Sequence, residues 1–422
     1  MKSMRSFGIQ FFFSSCAVFL FLQILFHSPF FRAINNFLEP FIPISLIFVS
    51  FFLQEKGNLL FRWRNHRFTL KIFRLLLLIL PGLTISLFFL PVFRHWCQLP
   101  PSIDAHYSAL GGIIPWSDAA GYYNDSFTGL YGNTPGGMSA RRPLNFVLFV
   151  ARLGVTGNLS YAILLNAGLL GISIFFLVRT VFFDCGLKTA SCLLGILYGY
   201  GRWFVSTVLT ETLGLTLAVL AINCFWVGIR QKKNGIFLFG FFLQVVALNA
   251  RAGAFFVLPT ILIFCIYSFW NSWRERCGGV ILVGIVVFLG FLLQGFLFRI
   301  CGVEGNLGHG NFPSVVYGIV TGGRGWTAFA KDYSDLKFEN EREQGRIVLK
   351  KSLEAFSKNP KNAIIGIVKN SAYSFPALGW NIYKMVVGKK ENPSSRSEMI
   401  AISLLSWLIL LIPSVFFFKG CE

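Results

Sequence analysis

The chain is built around uninterrupted apolar runs of membrane length. GGVILVGIVVFLGFLLQGFLF, residues 278–298, holds no charged side chain, and similar runs recur from the N-terminus to the C-terminus. A bilayer's hydrocarbon core needs about 20 such residues per crossing helix, because every backbone N–H and C=O must be satisfied internally there. Over the whole sequence 55% of residues are hydrophobic and only 13% charged. Soluble domains carry about 25% charged residues, so a soluble globular fold is excluded. Run lengths predict an all-α polytopic membrane protein with about ten transmembrane helices. The expected spans lie near 8–26, 39–53, 72–92, 160–182, 188–201, 204–227, 235–249, 253–270, 278–298 and 398–418. The first run follows a basic start but has no small-residue cleavage site after it, so it reads as a retained span.

A net charge of +20 raises the question of nucleic acid. The basic residues, however, sit in short connections between apolar runs. Lys2 and Arg5 precede the first span; Lys56, Arg62, Arg64, Arg67 and Lys71 crowd the link before the third; RQKK (230–233), WRER (273–276) and Lys419 follow. Under ten spans all of these fall on one side, which the positive-inside rule makes the cytoplasm. No nucleic-acid partner is expected, and the surrounding membrane lipid is. The localisation that follows is a cytoplasmic (inner) membrane, crossed many times. Two larger segments, 93–159 and 299–397, then face outward to the periplasm or exterior. The chain divides into a bundle over 1–298 that includes the outward loop 93–159, an outward segment 299–397, and a last span with its tail over 398–422.

Both outward segments show helical periodicity. RRPLNFVLFVARLGV (141–155) is too short to cross and reads as an interfacial helix led by Pro143. EREQGRIVLKKSLEAF (341–356) puts Leu349, Leu353 and Phe356 on one face, and NAIIGIVKNSAYSF (362–375) does the same with Ile364, Ile367 and Val368. The outward C-terminal segment is therefore mostly helical, with apolar faces for the membrane surface or for a small outward domain. The nine cysteines form no disulfide framework by their spacing; Cys97 and Cys301 share the outward side. TGGRGW (321–326) lacks the Lys-Ser/Thr of a phosphate-binding loop and reads as a plain loop.

Acids are scarce, so their positions carry information. Asp118 lies in IIPWSDAAGYY (113–123), followed by Tyr122 and Tyr123. Glu211 lies near the outward end of the apolar STVLTETLGLTLAVLA, where an ionisable group is costly and marks a candidate site. Arg141, Arg142, Arg202 and Arg251 are placed on the same side. Guanidinium groups bind phosphate through paired N–H donors and stay charged, so the set suits a phosphate or pyrophosphate at head-group level. The competing reading for each arginine is contact with ordinary lipid phosphate.

The order of these features resembles the GT-C membrane glycosyltransferases, in particular the lipid-linked-sugar-dependent family that includes protein O-mannosyltransferases and aminoarabinose transferases. The resemblance rests on the loop IIPWSDAAGYY, the Pro-led RRPLNFVLFVARLGV and the apolar NLSYAILLNAGLL with its continuation through Glu211, over roughly residues 105–265. It implies an inverting transfer of a sugar from a polyprenyl-phosphate donor to the hydroxyl of an acceptor glycan, lipid or protein, at the outer face. It makes Asp118 the acid-base residue, gives Glu211 a role in orienting acceptor or loop, and places Tyr122, Tyr123 and the four arginines around the substrates. The loop carries one acid where several such families carry a pair; no cofactor is expected, and a divalent metal has no support in the residues. A transporter or flippase of a lipid-linked saccharide, and a non-catalytic membrane assembly protein, are the alternative readings.

Overall fold

The computed structural model describes residues 38–43, 45–46, 67–96, 108–109, 114–115, 118–251, 258, 261–263, 272–303 and 312–372, with single positions at 397, 400, 401 and 404. Twelve helices are named here along that chain. They are α1 (Arg67–Trp96), α2 (Asp118–Gly129), α3 (Gly137–Ala140), α4 (Pro143–Thr156), α5 (Leu159–Gly201), α6 (Thr210–Gln231), α7 (Asn234–Ala250), α8 (Trp273–Ile300), α9 (Phe312–Val320), α10 (Ala328–Asp332), α11 (Glu341–Lys358) and α12 (360–372). Among the described residues, the extended structure is one antiparallel pair of two-residue strands, β1 (Ser108–Ala109) and β2 (Ile114–Pro115). The expected all-α class therefore holds. Among the described residues three helices, α5, α6 and α8, are long and apolar enough to cross a membrane, and α7 is a shorter apolar one. The expected spans at 8–26 and 398–418, and most of 39–53 and 253–270, lie outside the described residues.

Helix α5 contains a reversal. A straight helix would separate Leu170 from Gly201 by about 46 Å at 1.5 Å per residue, yet a Cβ on Gly201 would lie 3.2 Å from the Leu170 side chain. The chain turns at Gly186, whose φ of 87° and ψ of 175° are non-helical and are available to glycine without a side-chain clash. Residues 159–185 and 187–201 are thus two antiparallel helices, as the separate runs 160–182 and 188–201 led one to expect. The turn is fixed against the end of α6: Asp184 accepts a hydrogen bond from Trp226 Nε1 at 2.6 Å and pairs with Arg230 at 3.3 Å. Thr180 and Asn223 add a cross-helix hydrogen bond at 2.8 Å. Cys185, beside the turn, is disulfide-bonded. Cys301 is a free thiol, which removes any bridge from it to Cys97.

The largest core joins α1, α2, α4 and both halves of α5, through Phe88, Val92, Ala119, Phe149, Leu170, Ile174 and Tyr198. Close helix approach at small residues replaces the hydrophobic drive that lipid cannot supply. Gly228 is the clearest case: a Cβ there would meet the backbone nitrogen of Phe237 at 2.8 Å, at the α6–α7 turn. Backbone cannot rotate away, so Gly228→Ala is expected to cost about 1–3 kcal/mol. It should lower the melting temperature of the detergent-solubilised protein by several degrees; unchanged melting would show that this turn is plastic. Helix α8 packs on α7 along Gly279, Val283, Gly290 and Gln294, and leaves Ile281, Phe288, Phe296 and Ile300 outside.

After α8 the chain folds into a small helical unit. Its core is Tyr317, Ala328, Phe329 and Val348, closed by a bidentate Arg324–Asp332 pair with both contacts at 2.7 Å and by Tyr317 donating to Asp332 at 2.8 Å. Helix α11 buries Gly345, Val348 and Ser352. The expected apolar face of Leu349, Leu353 and Phe356 is exposed, and so are Ile364, Ile367 and Val368 on α12. Small residues suffice where α9 and α11 approach closely, which leaves the larger apolar side chains for another surface.

Candidate functional site

Tyr122 is the centre around which the predicted residues gather. Helix α2 buries Ala119, Tyr122 and Ser126, a spacing of three and four that turns one face to the core. Asp118, its first residue, lies one turn from Tyr122 on that same side of the helix and is half-buried. Arg142, Glu211, Arg251 and Asp118 all act electrostatically on the Tyr122 hydroxyl.

Each neighbour arrives from a different element for a local reason. Arg142 is the N-cap of α4, held outside the helix because Pro143 occupies the first turn. Glu211 opens α6 and Arg251 closes α7. The tight α6–α7 hairpin brings this start and this end together, and Arg251 Nη1 meets Glu211 Oε1 at 3.0 Å. Gly214, one turn after Glu211, makes room for the stem: a Cβ there would lie 3.0 Å from Arg251 Cβ. The Glu211 side chain is 11% exposed and that of Arg251 57%, so the pair has an inner acid and an outer, accessible cation. Tyr200, at the end of α5, also feels Glu211 and Arg251. Sequence reading missed Tyr200; the only signal was its place before Arg202 in an aromatic-rich turn.

Burial raises the Tyr122 phenol above its ordinary value, with Arg142 acting in the opposite direction. Burial lowers the Arg142 guanidinium, and Tyr122 acts to restore it. At neutral pH Tyr122 therefore keeps its proton, a neutral donor beside the Arg142 guanidinium and two carboxyl groups. Nearby on α4, burial pushes Arg152 down to about 10, so it stays charged, donating to Asn166 Oδ1.

Three predicted residues are placed elsewhere. Arg202 is buried and turns to Glu39, whose Oε1 lies 3.7 Å from its Nη1. Arg141 clamps Glu341 at the head of α11 through Nε at 2.6 Å and through a second guanidinium contact, a tie between the two outward segments. Tyr123 packs on the main core with its ring 6.0 Å from Phe127. Their expected substrate-binding roles find no geometric counterpart beside Tyr122. Among the described residues no group of three or more His, Cys, Asp or Glu side chains is placed to hold a metal ion.

The cluster of Asp118, Tyr122, Arg142, Glu211 and Arg251 belongs to a helical membrane protein. Comparison of the chain with protein-family models, with curated proteins and with solved structures found no match.

Proposed function

We propose that this chain is a membrane glycosyltransferase that moves a sugar from a polyprenyl-phosphate donor to an acceptor hydroxyl. The observation that carries this reading is the gathering at Tyr122 of Asp118, on its own helix, with Glu211, Arg142 and Arg251 from three other elements. In the reaction, the acceptor oxygen attacks the anomeric carbon from the face opposite the leaving group, and its proton passes to the Asp118 carboxylate. The bond from the anomeric carbon to the phosphate oxygen breaks, and the lipid phosphate departs with the electron pair, so the configuration inverts. Arg251, being half-exposed, and Arg142, half-buried at the head of α4, are suited to the negative charge that develops on that phosphate. Glu211 keeps Arg251 in place, and the Tyr122 and Tyr200 hydroxyls offer hydrogen bonds to the sugar.

The site faces the outside of a cytoplasmic membrane in this reading, because the basic connections fall at the opposite ends of the helices. The Cys185 disulfide lies at the Arg230 end, on the side this assigns to the reducing cytoplasm. Orientation is therefore tested directly with Cys277, an exposed thiol beside WRER. A membrane-impermeant maleimide should label Cys277 only after permeabilisation, with Cys277→Ser as the blank; labelling of intact cells would reverse the topology.

The reaction is tested with purified protein in vesicles containing a polyprenyl-phosphate sugar and candidate acceptors. Glycosylated product that requires Asp118 supports the transferase. Redistribution of the donor between leaflets without product would favour the flippase instead.

A further inference from the structure

A groove of about 570 Å³ opens between α9 and the start of α11, walled by Phe312, Pro313 and Leu349, with Arg342, Glu343 and Arg346 around it. Two features set it apart from the remaining surface. Arg342 and Arg346 are four residues apart, so they rise side by side on one helix face. Both are exposed, and neither has an interaction with a carboxylate among the described residues. The same face continues one turn at a time through Leu349, Leu353 and Phe356, all exposed, with Leu353 at 66%. Helix α11 thus presents a cationic head followed by an apolar track along a single stripe.

The level of this groove relative to the bilayer follows from its attachments. Glu341, adjacent to Arg342, is clamped by Arg141 at the head of α4. Cys301 and Val303, just beyond the lipid-facing α8, pack on Ala140 and Phe146 of the same region. The groove therefore sits where an apolar crossing helix ends and a short apolar helix with exposed Leu148 and Val155 begins. That is head-group depth, where an amphipathic surface helix meets phosphate above and hydrocarbon below.

We propose that this groove binds one anionic phospholipid of the surrounding leaflet. Its phosphate sits between Arg342 and Arg346, and an acyl chain lies along Phe312, Pro313 and Leu349. Glu343 carries the one negative charge at the groove, so the two guanidiniums leave it net cationic. An anionic head group is therefore favoured over a zwitterionic one. The occupant is independent of the transfer reaction, since none of these side chains belongs to the Tyr122 cluster.

The test uses the full chain in phosphatidylcholine vesicles, with a fluorophore on Leu353→Cys, one turn beyond the groove, in a Cys277→Ser background. Trace nitroxide-labelled phosphatidylglycerol or phosphatidylcholine is added at equal mole fraction. The expected result is roughly tenfold stronger quenching by the anionic lipid, from two arginines at the membrane surface. The preference should vanish in Arg342→Gln/Arg346→Gln and persist in Lys331→Gln/Lys350→Gln, which removes the same charge outside the groove. Inorganic phosphate in the buffer should leave it unchanged. Equal quenching by both lipids, survival of the preference in the arginine double variant, or its loss on adding phosphate would each overturn the proposal.

Discussion

Replacing Asp118 by asparagine is expected to lower sugar transfer by about 10²- to 10⁴-fold, the usual weight of a positioned general base. The substitution is close to isosteric. Asparagine tolerates a helix start as well as aspartate does, so α2 should form normally and Tyr122 should stay buried. What disappears is the group able to take the acceptor's proton. Loss should therefore fall on kcat, with donor KM nearly unchanged. Arg251→Gln gives the contrasting pattern. Removal of a half-exposed cation that meets the donor phosphate should raise KM for the donor and also slow the step in which the phosphate departs. Wild-type turnover by correctly inserted Asp118→Asn protein would end the acid-base assignment and leave Glu211 as the remaining carboxylate in the cluster.

Much of this cluster was legible in the sequence because acids are rare between apolar runs. Asp118 and Glu211 stood out for that reason, and Arg142 and Arg251 because each borders an apolar helix. The side-chain partners were not legible. Glu39 and Arg202 are far apart in the chain, and nothing local says that one arginine of an outward-facing set will turn inward to an acid ahead of α1. Arg141 and Arg142 adjoin in the chain, yet around the cap at Pro143 their guanidiniums take different partners: Arg141 binds Glu341, while Arg142 donates to the Arg141 carbonyl at 3.0 Å and acts electrostatically on Tyr122. Periodicity found both halves of α5 correctly, since hydropathy falls around Asp184 to Lys188. It also found the apolar stripe of α11, but not that the helix would bury its neighbouring face of Gly345, Val348 and Ser352. A hydrophobic face is visible in one helix; which surface covers it depends on the other helices.

Glu39→Gln is expected to be the most damaging single substitution for stability, at about 3–5 kcal/mol, because it removes a shared counter-charge from a buried network. Glu39 is 1% exposed and receives three groups at once. Arg94 Nη1 lies 2.5 Å from Oε2, Arg202 Nη1 lies 3.7 Å from Oε1, and the Tyr198 hydroxyl donates to Oε1 at 3.0 Å. These partners come from the end of α1 and from the second half of α5 and the turn after it. The carboxylate therefore holds the 38–43 segment to two helices. With glutamine in place, both guanidiniums face one neutral amide and repel each other across it, in surroundings where water reaches Arg94 only in part. Arg202→Gln should be milder, since the close Arg94–Glu39 pair survives and total charge in the cluster becomes balanced. That ordering distinguishes a counter-charge from a simple hydrogen-bond hub. Thermal unfolding of the two variants in the same detergent measures it directly. Equal losses for Glu39→Gln and Arg202→Gln would mean that geometry and not charge holds the segment; a larger loss for the glutamate is the result that the two-to-one ratio of arginines to acid requires.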